Sequence, residues 1–232
     1  MSAIITGASK GLGKYLAYFL GEKGYELHLI ARSIDELNAI KNEVEASNKV
    51  KVSVYSCDFT SEKEMMELAK KLAQLGRIDI LVNNVGAFEF GGLQDSSLDQ
   101  LNKMLNINLK AAFVLSSAIL PLLKVNKKGH VFNIGSIVTE IPRADVAAYT
   151  ISKFALNGFT KVLREELRPY RVKVTEFIPG SINTSSWDGV EDVPKEDFIQ
   201  PSEVANALWN CYQNTGNCNI EEMIIRPLNK DF

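Results

Sequence analysis

Apolar residues fall along this chain in two alternating rhythms. Short runs bounded by glycine, asparagine or charged residues, such as Ala3-Ile4-Ile5, Leu27-His28-Leu29-Ile30-Ala31, Ile78-Asp79-Ile80-Leu81-Val82 and His130-Val131-Phe132-Asn133-Ile134, have the length and boundaries of buried strands. Residues 50–56 alternate as a strand does, 172–178 form a further apolar run, and 222–226 supply the last one. Between these runs apolar positions return every three or four residues: first at Tyr15, Leu16, Phe19 and Leu20, then across 34–47, 62–75, 109–123, 149–168 and 201–212. No internal repeat, low-complexity tract or linker interrupts the alternation. The pattern predicts one α/β domain over residues 1–232, with a parallel sheet of about seven strands covered by helices on both faces.

Composition narrows the class. Hydrophobic residues at 46% and charged residues at 23% are ordinary for a globular enzyme and argue against disorder. A net charge of −2 with no long basic run speaks against nucleic acid as the main ligand. No uninterrupted apolar stretch nears the ~18 to 20 residues that span a bilayer, and the first strand opens at Ala3, so neither a membrane segment nor a signal peptide is expected. Cys57, Cys211 and Cys218 are odd in number and lack metal-ligand spacing, which predicts a reduced, cytoplasmic location without zinc or disulfide. His28 and His130 sit in apolar runs and read as packed residues.

The candidate chemistry begins at the first turn. A strand, then Gly7-Ala8-Ser9-Lys10-Gly11-Leu12-Gly13, then a helix is the order a dinucleotide site requires. Glycines let the backbone approach a pyrophosphate, and helix N-terminal amides favour its charge. The second strand delivers Arg32 to where an adenosine ribose would lie; there a carboxylate would hold a free 2′-hydroxyl, whereas an arginine pairs with a 2′-phosphate. Arg32, with Lys10 in the glycine turn, points to NADP(H) over NAD(H). Asp58, after the third strand, either accepts from the adenine amino group or opens the next helix near Ser61.

A second constellation lies in residues 136–153. Ser136 closes an apolar run, and Tyr149 follows thirteen residues later with Lys153 four residues beyond it. A spacing of four puts Tyr149 and Lys153 on one helical face. A neighbouring ammonium favours the ionised phenol, by about 4 kcal/mol at about 4 Å and an effective dielectric of about 20 before desolvation is subtracted. Tyr149 would then work as a general acid and base, with Ser136 donating to a substrate oxygen.

With both constellations in hand, the chain resembles the short-chain dehydrogenase/reductase family over nearly its whole length. Thr6-Gly7-Ala8-Ser9-Lys10-Gly11-Leu12-Gly13 is similar to its cofactor motif, Asn83-Asn84-Val85-Gly86 to its Asn-Asn-Ala-Gly motif, and Ser136, Tyr149 and Lys153 to its catalytic pattern. The resemblance implies a doubly wound, three-layer, Rossmann-like domain. It also implies a carbonyl reductase or alcohol dehydrogenase that moves hydride between nicotinamide and a ketone or secondary alcohol. Gly7, Ser9, Lys10, Gly11, Leu12, Gly13, Asn84 and Gly86 would border the cofactor, and Lys153 would bind the nicotinamide ribose beside Tyr149. Val85 replaces the usual alanine and would crowd the channel slightly. Asn108, rather than Asn106, matches the asparagine implied to hold a relay water. Pro179, Gly180, Ile182 and Thr184 match the loop on the nicotinamide side.

Substrate choice is expected from 87–92, 137–145 and 185–200, the last being either a lid with Trp187 and Phe198 or a surface loop. The length and layout resemble 3-oxoacyl-carrier-protein reductases, for which Lys127, Lys128, Arg168 and Arg171 would meet an acidic carrier or else be solvated helix ends. The ending around 221–227 resembles sepiapterin-reductase-type members. A non-catalytic NADPH sensor would not need Ser136, Tyr149, Lys153 and Asn108 together. Family resemblance further implies a homodimer or homotetramer, and Ala111, Ala112, Phe113, Ala155, Leu156 and Phe159 fit such a surface and fit core equally well.

Overall fold

The computed structural model describes residues 1–126, 129–188, 195–214 and 217–229. Seven parallel strands form one sheet: β1 (Ser2–Thr6), β2 (Glu26–Ala31), β3 (Val52–Ser56), β4 (Ile80–Asn83), β5 (His130–Ile134), β6 (Lys173–Pro179) and β7 (Glu222–Ile225), in the order β3-β2-β1-β4-β5-β6-β7. β1, β4 and β5 are buried along their whole length, as strands covered on both faces must be.

Helices α1 (Gly11–Glu22), α2 (Ile34–Asn48) and α7 (Pro201–Gln213) cover one face; α3 (Glu62–Leu72), α5 (Ala111–Val125) and α6 (Ala147–Leu167) cover the other. Each face has its own core. Leu16, Leu20, Ile40 and Leu208 lie with Phe132 and Phe177 on the first, and Leu68, Leu115, Ile119 and Leu163 lie with Ile4 and Val131 on the second. The strand order reverses between β1 and β4, so a crevice opens beyond their carboxyl ends, where sheets of this kind take ligands.

Two expectations change. The sequence pattern missed α4 (Leu98–Leu105), because only Met104 on it is buried; its one clear signal is Ser97, which caps it by accepting from the Gln100 amide at 3.1 Å. A π-helical turn, Asn106–Lys110, joins α4 to α5 without a break. The resulting run Leu98–Val125 is long and apolar enough to cross a bilayer by length and composition, which a search for uninterrupted apolar stretches overlooked. In the fold its α5 part buries Ala111, Leu115, Ile119 and Leu123 in the second core. Of the residues open between assembly surface and core, Ala111, Ala112 and Leu156 are core, whereas Phe113 is exposed.

Candidate active site

A cavity of about 1080 Å³ occupies the crevice and gathers most of the expected site residues: Gly7, Ser9, Lys10, Gly11, Leu12, Arg32, Asp58, Asn84, Gly86, Ser136, Tyr149, Lys153, Pro179, Gly180, Ile182 and Thr184. Gly13 and Asn108 stand behind its wall.

At one end the turn between β1 and α1 brings Gly7, Ser9, Lys10, Gly11 and Leu12 to the cavity. Gly13 is demanded by close packing: a Cβ there would lie 2.2 Å from the Gly7 carbonyl oxygen. Asn84 is spent on the same turn, its Nδ2 donating to the Thr6 carbonyl at 2.9 Å and the Gly7 carbonyl at 3.3 Å. It shapes the turn from within. Lys10 pairs with Glu36 at 3.1 Å on an exposed rim, and Arg32 lines the same end. The first turn of α1 carries no acidic residue. A glycine-rich turn, helix amides with no acidic residue beside them and two cations fit a dinucleotide with an extra phosphate. Asp58 does not cap α3; Ser61 does, accepting from the Glu64 amide at 3.3 Å. The Asp58 carboxylate accepts from the amide and hydroxyl of Thr60 at 2.9 and 2.8 Å, which lowers its pKa, and it still lines the cavity.

At the other end Ser136 terminates β5 and starts a single 3₁₀ turn, while Tyr149 and Lys153 come from the first two turns of α6. The Lys153 ammonium donates to the Ile134 carbonyl at 2.9 Å and lies 5.8 Å from the centre of the Tyr149 ring. Burial pulls Lys153 down to about 8, against the opposing charge of Glu176. Tyr149 keeps some exposure to the cavity, yet burial raises its pKa, against the lowering effects of a Ser136 hydrogen bond and the charge of Arg143. This reverses the expected fall. Helical spacing does bring Lys153 beside the ring, but desolvation outweighs attraction, and the charge acting on the phenol comes from Arg143. Sequence reasoning had not singled out Arg143. Its backbone is tied to α6 through the Thr150 hydroxyl, which donates to the Arg143 carbonyl at 3.1 Å.

Asn108 and Asn106 separate cleanly. Asn106 donates to the Thr60 carbonyl at 3.2 Å, on the exposed side. Asn108 is buried in the π turn and clamps Ala87, accepting from its amide and donating to its carbonyl, both at 2.9 Å; it also donates to Ser152 Oγ at 2.8 Å. A Cβ on Gly86 would stand 3.4 Å from Asn108 Oδ1 and 3.6 Å from Lys153 Nζ, so the glycine keeps a gap between amide and ammonium.

Around Tyr149 the wall is aromatic. Phe88 lies 6.1 Å from Tyr149, 5.7 Å from Phe90 and 5.9 Å from Trp187, and Trp187 lies 5.0 Å from Phe198. Besides Lys153, the cations Lys103 and Arg143 line this end, and each has a carboxylate partner, Glu89 and Asp145 respectively. Val85 lines the cavity but also packs on the second core, so its extra bulk lies partly in the interior. Of the expected lid, residues 189–194 fall outside the described residues; its ends form 3₁₀ turns at Ser185–Trp187 and Lys195–Asp197, with Phe198 buried. Among the described residues there is no cluster suited to a metal ion, and Cys57, Cys211 and Cys218 are unbridged.

Known proteins share this architecture. The chain is 28% identical over 237 residues to a sepiapterin reductase of Chlorobaculum tepidum, covering 99% of this chain and 97% of that protein. It superimposes on an alcohol dehydrogenase from the archaeon Thermococcus sibiricus, complexed with 5-hydroxy-NADP, with a TM-score of 0.90 and 28% identity over 100% of this chain and 98% of that one. A metagenomic short-chain oxidoreductase in complex with NADP gives a TM-score of 0.84 and 33% identity over 99% and 98% of the two chains. The pattern of the short chain dehydrogenase family itself matches residues 1–194, and the chain belongs to that family.

Proposed function

We propose that the protein is an NADP(H)-dependent carbonyl reductase or alcohol dehydrogenase with Tyr149 as its general acid and base. The observation that carries the reading is the meeting of Ser136, Tyr149 and Lys153 on the wall of a cavity whose far end is a glycine turn flanked by Lys10 and Arg32. A nicotinamide cofactor held there would supply the hydride for reduction of a carbonyl carbon, or accept it in the reverse direction. The protein's own residues do the rest. Ser136 donates to the substrate oxygen and polarises it, and Tyr149 gives that oxygen its proton in reduction. Burial keeps the phenol protonated at neutral pH, which suits that direction. Lys153 offsets the charge left on Tyr149 and holds the nicotinamide ribose. Asn108 keeps the backbone at Ala87 in place for a proton path past Gly86. Gly7, Ser9, Gly11 and Leu12 take the pyrophosphate with Gly13 packed behind them, Lys10 and Arg32 take the 2′-phosphate, and Asp58 takes the adenine. Asn84, Gly86, Pro179, Gly180, Ile182 and Thr184 border the nicotinamide. Two similar structures that contain NADP or its 5-hydroxy derivative support the cofactor assignment.

The substrate we assign is an uncharged ketone carrying a flat ring. Phe88 and Trp187 offer such a ring two faces beside Tyr149, and Lys103 and Arg143 are already paired with carboxylates, which leaves them less available to an anionic substrate. This favours sepiapterin-type or diketone substrates over a carrier-bound acyl chain. Arg168 and Arg171 precede β6 and therefore stand at the edge of the sheet opposite the cavity, where Arg168 pairs with Glu165 and Glu221. Lys127 and Lys128 fall outside the described residues. The three unbridged cysteines support a reduced, cytoplasmic setting.

The test is NADPH oxidation across flat-ring ketones and diketones, sepiapterin, acetoacetyl thioesters and simple aldehydes, with NADH in parallel. Turnover should favour NADPH and the flat-ring ketones. Tyr149→Phe should lose activity by about a hundredfold or more while NADPH binding holds. Tight NADPH binding with no turnover of any carbonyl would overturn the assignment in favour of a sensor.

A further inference from the structure

One buried carboxylate takes no part in this reading. Glu176 lies in the middle of β6 between Thr175 and Phe177, fully buried, in a strand otherwise made for the core. A lone buried carboxylate is expensive to keep, so its neighbours matter. Asn157 donates to one of its oxygens at 2.9 Å, and the other, Oε1, accepts no hydrogen bond among the described residues. That free oxygen sits against Gly135, where a Cβ would lie 2.6 Å from it. Gly135 is the residue between Ile134, whose carbonyl receives the Lys153 ammonium, and Ser136. Lys153 and Asn157 are one turn apart on the same face of α6. The carboxylate is therefore lodged directly behind the reacting residues, in space that a glycine leaves open.

We propose that Glu176 is the buried counter-ion of Lys153, a positioning residue that keeps the ammonium charged and aimed while Tyr149 gives up its proton. This rests on the reading of Tyr149 above. The groups that face Glu176 bear it out. From α6 come Lys153 and Arg164, from β7 its register neighbour Glu222, and from β5 the uncharged Asn133. Arg164 is already committed to the Val174 and Glu221 carbonyls at 3.1 and 2.6 Å, whereas among the described residues the Lys153 ammonium donates to the Ile134 carbonyl alone. Burial lifts Glu176 to about 7 and pulls Lys153 down to about 8. Below the first value the glutamate is neutral; between the two both groups are charged; above the second the ammonium is lost. The carboxylate thus holds up the alkaline edge of the window in which Lys153 is a cation.

The expected signature is confined to alkaline pH. Glu176→Gln keeps the shape and the Asn157 contact but removes the charge, so the alkaline fall in reductive kcat should move down by about one unit. At pH 8, where about half of the wild-type ammonium but only about a tenth of the variant's stays protonated, that is about a fivefold loss, and at pH 6, where the native glutamate is itself protonated, the rate should stay within about twofold of wild type. Asn157→Ala, at a half-buried position, weakens the ionised carboxylate and should reproduce the alkaline loss in milder form, which covers the case of a glutamine variant that does not fold. A second readout needs no turnover. By thermal unfolding at pH 7.5, Lys153→Met with Glu176→Gln should lose less stability than the two single changes added together, since each single change strands a buried charge. Additive losses, or an activity drop equal at pH 6 and pH 8, would refute the pairing. If wild type reduces no carbonyl at all, the reductase reading fails and the unfolding cycle still decides the pairing.

Discussion

Arg32 stands exposed at the carboxyl end of β2, its carbonyl receiving the Ser56 hydroxyl at 2.9 Å while its side chain borders the cavity. Nothing in the fold requires a guanidinium there, so its effect should fall on the cofactor alone. Arg32→Ala should raise the KM for NADPH by about ten- to a hundredfold, the worth of a charge-assisted phosphate contact of about 1.5 to 3 kcal/mol, and leave that for NADH within about twofold. Steady-state kinetics with both cofactors checks this; an equal loss for each would mean that Arg32 supports the site in some other way. Most of the cavity residues were legible as single positions, because glycine turns and a Tyr-Lys pair at helical spacing have few other uses together. Arg143 and Glu176 were not. A cation in a loop and a carboxylate in a strand acquire meaning only from what lies across from them.

At the scale of elements, β5 presents His130 at its entrance as well as Ser136 at its exit. His130 bonds Thr175 Oγ1 at 2.8 Å and stacks on Phe132 at 3.9 Å, as its apolar surroundings in the sequence suggested. Burial holds its imidazole neutral to well below the usual value. The sign follows: below about 6.5 the unfolded chain takes up a proton that the folded chain refuses, so this contribution to stability is complete above that pH and is lost as pH falls. The slope is up to about 1.4 kcal/mol per pH unit. Melting temperatures between pH 6.5 and pH 5 should fall more steeply for wild type than for His130→Gln. Parallel curves would show that the histidine is not held neutral. Elsewhere the pattern located helices by their buried stripes, which is why α4, with one buried residue, escaped it, and why the π turn that aims Asn108 inward had no advance sign.

For the whole molecule, the feature that bears on assembly is an apolar stripe on α6. Ile151, Phe154 and Val162 are exposed along one side of that helix, Gly158 among them has nothing within 4 Å of its open side, and exposed Phe113 on α5 packs against Phe159 at 5.8 Å. We propose a second copy of this chain as its partner, since a stripe this apolar is unusual on a monomer. Light scattering on the eluting protein should report a dimer or tetramer, and Phe154→Glu should shift it toward monomer; a monomeric wild type would discard the proposal. The alternation of buried runs and amphipathic stretches was enough to determine seven strands, a parallel sheet and a glycine turn at its switch point, because each of those follows from local spacing and from burial on two faces. Only the tertiary structure decided that Lys153 bonds the Ile134 carbonyl, that burial raises Tyr149 instead of Lys153 lowering it, and that Glu176 lies behind both. Those outcomes depend on desolvation and on residues far apart in the chain, and spacing along a sequence carries no information about either.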